Sequence, residues 1–365
     1  MPMKRILTVL GARPQFIKAS VVSAALARHV GLAEIVVHTG QHFDANMSDV
    51  FFAELGMTAP QHHLGIHGGS HGQMTGRMLA ALEDIMLAER PDIVMVYGDT
   101  NSTLAGALAA AKLHIPIAHV EAGLRSHNMK MPEEVNRILA DRISHWLFTP
   151  TDSATRNLLQ EGAPAERIVQ TGDVMFDVAL QHGARAMGQS SQLSRLGLTD
   201  KGYILATIHR QENTDDPQRL AAIVDGLIAA ATTRPVVWPL HPRTRQVLSN
   251  SDLLARLQAS QAVLIDPVGY LDMVQLEKHA ALIATDSGGV QKEAFFHHVP
   301  CVTLRDETEW TELVDSGWNR LADTRSSHAI TTALEAALNF APLPVQPYGQ
   351  GDAAARIAVT LASAS

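Results

Sequence analysis

The sequence predicts an α/β fold made of two doubly wound parallel sheets, and three observations carry that expectation. Short apolar runs of strand length alternate with helix-period stretches along almost the whole chain. Such alternation marks βα units, which build parallel sheets covered by helices on both faces. At 365 residues the chain exceeds one comfortable core, so two domains are expected. The rhythm loosens over Gly172–Ser194, where a polar, Gly- and Ser-bearing stretch reads as the junction. The expected domains are therefore residues 1–171 and residues 172–351, with residues 352–365 returning to the first.

Each element follows from its local pattern. Ile6–Leu10 is a buried first strand that leads through Gly11-Ala12-Arg13-Pro14 into a helix near Pro14–His29. Glu34–His38 leads into a helix over Asn46–Leu55, and the methionines of Met74–Met86 mark the apolar face of another helix. Ile93–Tyr97 runs through Gly98-Asp99-Thr100 into a helix over Ser102–Lys112. Ile115–Val120 precedes a helix opening at Pro132, where a missing N–H does no harm. Trp146–Phe148 and a helix from Asp152 follow. A second series has strands at Tyr203–Ile208, Val236–Leu240, Val263–Ile265, Leu282–Thr285 and Val302–Leu304. The last segment, Asp352–Leu361, reads as a short helix that packs on the first half.

Composition narrows the class of function. The chain is 46% hydrophobic and 18% charged, which describes a well-packed protein in water rather than a disordered one. A net charge of −8 argues against a nucleic-acid polyanion as main partner but leaves room for a small anion. The single cysteine, Cys301, excludes an internal disulfide framework and fits a reducing cytoplasm, where it reads as a small core residue. No apolar run reaches the ~20 residues of a membrane helix, and the opening is too brief for a signal peptide. The pairs His62-His63, His297-His298 and His67/His71 lack acidic or thiol partners at metal spacing, so no metal is expected. The stretch from His67 to Gly72 reads as a flexible loop.

The polar residues of interest gather just after predicted strands, where open α/β sheets bind ligands. With two such domains, the ligand is expected in the cleft they form. Asp286-Ser287-Gly288-Gly289 links a buried strand to a helix opening at Val290, and its free N–H groups make an anion site for a phosphate. Glu293 lies about one turn on, where a carboxylate can accept from a ribose. After the first strand come Arg13 and Lys18, with no G-x-G-x-x-G dinucleotide fingerprint. Asp99, Glu121, Glu133 and His209 stand at other strand or helix openings and form an acid–base set. Plainer readings exist beside these. Asp99 also suits a helix cap, Glu133 and Glu134 suit first-turn carboxylates, and His209 suits a hydrogen-bonded structural role. Glu121 is harder to explain away, because a carboxylate ending an apolar strand needs a partner.

The ordered motifs, Gly11–Pro14, Gly98–Thr100, His119–Arg125, Pro132–Arg137, His209–Asn213 and Asp286–Glu293, resemble the non-hydrolysing UDP-N-acetylglucosamine 2-epimerases from about residue 4 to beyond 350. The resemblance implies two Rossmann-like domains of the GT-B type with a UDP-sugar in the interdomain cleft, no external cofactor, and a homodimer. It implies that a base removes the C2 proton as UDP leaves C1, giving a glycal to which UDP adds back. On this resemblance Asp99, Glu121 and Glu133 are the acid–base carboxylates, and His209 lies at the diphosphate as a cationic imidazole. Arg13 and Lys18 line the same site, Ser287, Gly288 and Gly289 bind the diphosphate, and Glu293 binds the ribose. Donors and cations fit there, because charge accumulates on departing UDP.

Gln15 stands where the family turn carries Glu, Trp310 where an Arg is usual, and Val268 and Met273 also depart. These departures resemble the subgroup acting on UDP-2,3-diacetamido-2,3-dideoxyglucuronate, which yields the manno isomer for surface polysaccharide. Gln41, Glu134, Arg210 and His241 partly match the family's allosteric UDP-sugar site, whereas His67–Arg77 differs. Competing expectations are an epimerase of plain UDP-N-acetylglucosamine, a retaining GT-B glycosyltransferase needing an acceptor, and a non-catalytic nucleotide-sugar sensor.

Overall fold

The computed structural model describes residues 3–41, 52, 55–339, 341 and 343–364. The helix expected over Asn46–Leu55 lies outside the described residues, Phe52 and Leu55 apart. The chain divides into two compact units, Met1–Val178 with Gln346–Ser365, and Ala179–Val345.

The first unit is a parallel sheet of β1 (Lys4–Leu10), β2 (Leu32–His38), β3 (His62–His63), β4 (Ile93–Tyr97), β5 (Ile117–Val120), β6 (Trp146–Thr149) and β7 (Ile168–Gln170). They lie in the order β3-β2-β1-β4-β5-β6-β7, every pair parallel. The order reverses between β1 and β4, the kind of switch point where open sheets take ligands beyond their carboxyl ends. The second unit repeats the plan with β8 (Ile204–Thr207), β9 (Val236–Pro239), β10 (Val263–Ile265), β11 (Leu282–Thr285), β12 (Cys301–Thr303) and β13 (Asn319–Leu321). Their order is β10-β9-β8-β11-β12-β13, again all parallel, with the switch between β8 and β11. The expected class, α/β with two doubly wound parallel sheets, is the class the chain adopts.

Strand alternation explains the two-sided cover. Ile204 and Ala206 of β8 face one core cluster with Ile223, Val224 and Leu227, whereas Tyr203 and Leu205 face another with Leu276 and Ala294. In the first unit Leu7, Val9, Val94 and Val96 pack with Met78, Leu82 and Met86 of helix His71–Glu89. Cys301 is buried in the second core, and burial pushes its thiol up to about 12.

Three expectations differ from the structure in detail. The junction read over Gly172–Ser194 does hold the unit boundary, between Val178 and Ala179, yet helix Val174–Gln189 occupies most of that stretch. Val174, Val178 and His182 recur at intervals of four and are all buried, a helical spacing that the polar residues obscured. Gly183 weakens such a helix by only about 1 kcal/mol, too little to break it. The helix expected from Val290 begins at Gly288, and His71–Gly72 belong to a helix rather than to the loop before it.

The returning segment is helix Ala353–Ser363, which buries Ile357, Ala358 and Leu361 and packs on helix Arg13–Ala27. The Asp177 carboxyl accepts from the N–H groups of Ala353 (3.2 Å) and Ala354 (2.9 Å), capping this helix from outside its own sequence. At its other end Lys4 Nζ donates to the carbonyl of Ala362 at 2.8 Å. Among the described residues no helix is long and apolar enough to cross a membrane.

Candidate active site

Each unit sets its own part of the constellation at its switch point. In the first unit, β1 ends at Leu10 and the turn Gly11–Ala12 delivers Arg13, half-buried, to the first position of helix Arg13–Ala27. β4 ends at Tyr97 and delivers Asp99, and β5 ends at Val120 and delivers Glu121. Gln15 splices the first two of these strand ends. Its carbonyl accepts from Gly11 N (2.8 Å) and Ala12 N (3.1 Å), and its amide donates to Tyr97 O at 2.7 Å.

The two carboxylates are neighbours with opposite cations. Lys18 forms an ion pair with Glu121, whose side chain is only 7% exposed. Arg137, from helix Pro132–Ile143, forms an ion pair with Asp99 and a second with Glu134 at 2.8 Å. Asn136 donates to the Asp99 carbonyl at 2.9 Å. Burial raises the Asp99 carboxyl above its ordinary range against the pull of Arg137, and the charge of Glu121 pushes the same way. Such a carboxyl holds its proton to higher pH than an ordinary aspartate does. Glu121 adopts the left-handed backbone region, φ 71°, uncommon for a residue with a Cβ. Backbone strain of that kind persists only where surrounding contacts hold it, and it gathers at working sites.

Glu133 stands apart. It lies on the first turn of helix Pro132–Ile143, is exposed, and makes no side-chain hydrogen bond among the described residues. Its neighbour Glu134 is buried, accepts from Ser126 N and His127 N at 2.9 Å each, and is held below the usual carboxylate range by those bonds despite burial. Gln41 accepts from Ser102 N (2.9 Å) and Ser102 Oγ (2.7 Å).

In the second unit β8 and β11 end side by side, and the buried Asp286 carboxylate joins them. It accepts from His209 N (3.0 Å), Arg210 N (2.9 Å) and Asn213 Nδ2 (3.1 Å). Ser287 caps helix Gly288–Phe296 by position only. Its hydroxyl makes no cap bond, and neither Gly288 N nor Gly289 N has an acceptor among the described residues. That start is an anion site by geometry and dipole. A Cβ on Gly288 would lie 2.5 Å from Glu309 Oε1, so a larger residue there would push that side chain aside. Trp310 Nε1 donates to the Gly288 carbonyl at 2.9 Å, and the ammonium of Lys292 stacks over the Trp310 ring at 4.1 Å. Glu293 is half-buried on the same helix.

The His209 ring is 47% exposed, with Nδ1 3.5 Å from Asp286. Partial burial lowers its pKa, Asp286 opposes this, and Arg210 and His241 add to the lowering. The ring expected as a cation is therefore biased towards neutrality in the ligand-free protein. An anion beside the ring would oppose that bias.

Sequence reasoning missed the roles of five residues that organise the first unit: Gln15 as a splice, Asn136, Arg137, and the buried pair His119–Asp141. Arg137 carried a legible signal, since it lies three residues after Glu134 and four after Glu133 on one helix. Among the described residues no group of three His, Cys, Asp or Glu side chains is placed to hold a metal ion.

The family described as UDP-N-acetylglucosamine 2-epimerase matches residues 24–362. A UDP-2,3-diacetamido-2,3-dideoxy-D-glucuronate 2-epimerase from Pseudomonas aeruginosa is 55% identical over 362 residues, 98% of this chain and 99% of that one. The crystal structure of the Methanocaldococcus jannaschii UDP-GlcNAc 2-epimerase in complex with UDP-GlcNAc and UDP is 42% identical, with a TM-score of 0.88 over 98% of this chain and 99% of that one. The Neisseria meningitidis UDP-GlcNAc 2-epimerase bound to UDP-GlcNAc is 32% identical, with a TM-score of 0.87 over 98% and 99%.

Proposed function

Because this chain belongs to the UDP-N-acetylglucosamine 2-epimerase family, we propose that it inverts C2 of a UDP-2-acetamido sugar, converting UDP-2,3-diacetamido-2,3-dideoxyglucuronate to its manno isomer for surface polysaccharide synthesis. The observation that carries the choice of sugar is the end-to-end 55% identity with the Pseudomonas aeruginosa relative of that name.

The chemistry follows from the groups at hand. C2 of such a sugar bears no adjacent carbonyl, so its proton leaves together with the C1 substituent. A carboxylate takes the C2 proton, the C1–O bond to UDP breaks with its electron pair passing to the diphosphate, and a C1–C2 double bond forms. A carboxyl on the other face then protonates C2 as a diphosphate oxygen re-forms the bond to C1. No electrons are gained or lost, and no cofactor is required. Asp99 and Glu121, with cations beside both, carry the proton traffic together with Glu133. Ser287, Gly288 and Gly289 bind the diphosphate at the helix start, where the developing charge is greatest, and His209 assists its departure. Arg13 and Lys18 line the substrate, and Glu293 accepts from the ribose.

The test is NMR of C2 in deuterium oxide, with the diacetamido-uronate and plain UDP-N-acetylglucosamine offered separately. The expected result is deuterium at C2 of both epimers of the uronate, with no acceptor and no accumulation of UDP. Turnover of UDP-N-acetylglucosamine alone would move the assignment to the plain epimerase. Acceptor-dependent UDP release would move it to a glycosyltransferase, and binding without turnover to a sensor. The reading includes a cytoplasmic homodimer, which light scattering and cell fractionation test.

A further inference from the structure

A buried histidine lies under the carboxylates of the first unit. His119 sits on β5 between Ala118 and Val120 and is 0% exposed, in a strand position that ordinarily takes an apolar side chain. An imidazole there is tolerated only if both ring nitrogens find partners. Nε2 lies 2.7 Å from the Gly98 carbonyl, which can only accept, so this nitrogen carries a hydrogen. Nδ1 lies 2.7 Å from Asp141 Oδ1.

Asp141, itself buried, reaches further. Its Oδ2 accepts from Gly123 N at 3.1 Å and from Arg125 Nη1 at 2.7 Å. Arg125 is in turn held by Glu161 through two bonds of 2.7 Å. Gly98 immediately precedes Asp99 and Gly123 comes two residues after Glu121, and both glycines are left-handed, at φ 61° and 81°. Asp141 belongs to helix Pro132–Ile143, which also carries Arg137, the partner of Asp99. One buried pair thus grips the turn before the first carboxylate, the turn after the second, and the helix that supplies the cation.

We propose that His119 and Asp141 are positioning residues that aim Asp99 and Glu121 by fixing these two turns, without touching substrate. What those carboxylates do rests on the epimerase reading; that the pair sets their geometry does not. Two substitutions separate the arms. His119→Asn keeps a donor near the Nδ1 position, towards Asp141, and loses the bond to Gly98. His119→Gln keeps a donor near the Nε2 position, towards Gly98, and loses Asp141.

The expected result for His119→Asn is a fall in kcat of about 100-fold, because displacing a reacting group by an ångström has that effect. KM should move by no more than about threefold, since uniform binding is untouched. His119→Gln should recover kcat to within about tenfold of the native enzyme. Hydrogen exchange of amides 98–101 and 121–125 should quicken in His119→Asn, and over 121–125 in Asp141→Asn, while UDP binding by the second unit stays unchanged. A purely structural role would lower the melting temperature and leave the kcat of folded protein intact. Native-like kcat in His119→Asn, or unaltered exchange in both segments, overturns the proposal. If the native protein shows no turnover, the epimerase reading fails while the exchange measurement still decides the positioning claim. If His119→Asn does not fold, His119→Gln and Asp141→Asn carry the same comparison.

Discussion

Asp177 offers a stability test that can be worked through in numbers. Its carboxyl caps helix Ala353–Ser363 through two N–H groups, yet burial pushes it from 3.8 up to about 6 despite those bonds. Keeping it ionised at neutral pH in the folded chain therefore costs about 3 kcal/mol, at ~1.4 kcal/mol per pH unit. The sign is that of a raised acid: the penalty is absent below the unfolded value, grows as pH rises from about 4 to 6, and is complete above that. Asp177→Asn retains a carbonyl acceptor for one N–H and cannot ionise. Urea unfolding of both proteins, followed by circular dichroism from pH 4 to 8, isolates the effect. The stability of Asp177→Asn relative to the native chain should rise with pH by up to about 3 kcal/mol between pH 4 and 7. A difference that stays flat across that range, or falls, would refute the burial argument.

Asp99→Asn should lower kcat by about 10²–10⁴-fold and remove deuterium incorporation in proportion, while UDP binding is kept. Because burial raises Asp99, the acidic limb of the native kcat/KM profile should lie above the ordinary aspartate range and vanish in that variant. Gly123→Ala forces a Cβ into the Ala154 carbonyl at φ 81°, so thermal unfolding should register a loss of about 2–4 kcal/mol. Its kcat should fall as well, since Glu121 lies two residues before it. His209 is biased neutral when free, so UDP should bind with proton uptake and bind more tightly as pH falls. Calorimetry in buffers of different ionisation enthalpy measures that uptake, and His209→Asn should abolish it.

What the sequence disclosed was whatever leaves a local trace. Ile93–Tyr97 and Leu282–Thr285 were legible to the residue, because strands buried on both faces are short unbroken apolar runs, and the half-buried edge strand Val263–Ile265 was legible because all three of its residues are apolar. β3, β7 and β13 left no such trace, being edge strands of two or three residues. Helix Val174–Gln189 hid because its buried face carries His182 and because its sequence from Gln181 onward is rich in Gln and Gly. The strand-end carboxylates were visible from position alone. Their partners were not: Arg137 reaches Asp99 from 38 residues away, and Asp141 reaches His119 from 22. Such pairings depend on which strands lie side by side, and local pattern does not encode that. Glu133 is the opposite case, since it reads like its neighbour Glu134 in sequence yet lies exposed while Glu134 is buried.

The strip that completes the first unit, Gln346–Ser365, is separated from the rest of that unit by the whole of the second. During synthesis the whole of the second unit emerges before it, so the first sheet waits through 167 intervening residues, from Ala179 to Val345, for the helix that covers Arg13–Ala27. The nascent first sheet must remain competent to receive its final helix while its neighbour is already folding. An affinity tag fused after Ser365 would therefore burden the unit that holds Asp99 and Glu121, and not the one whose sequence immediately precedes it.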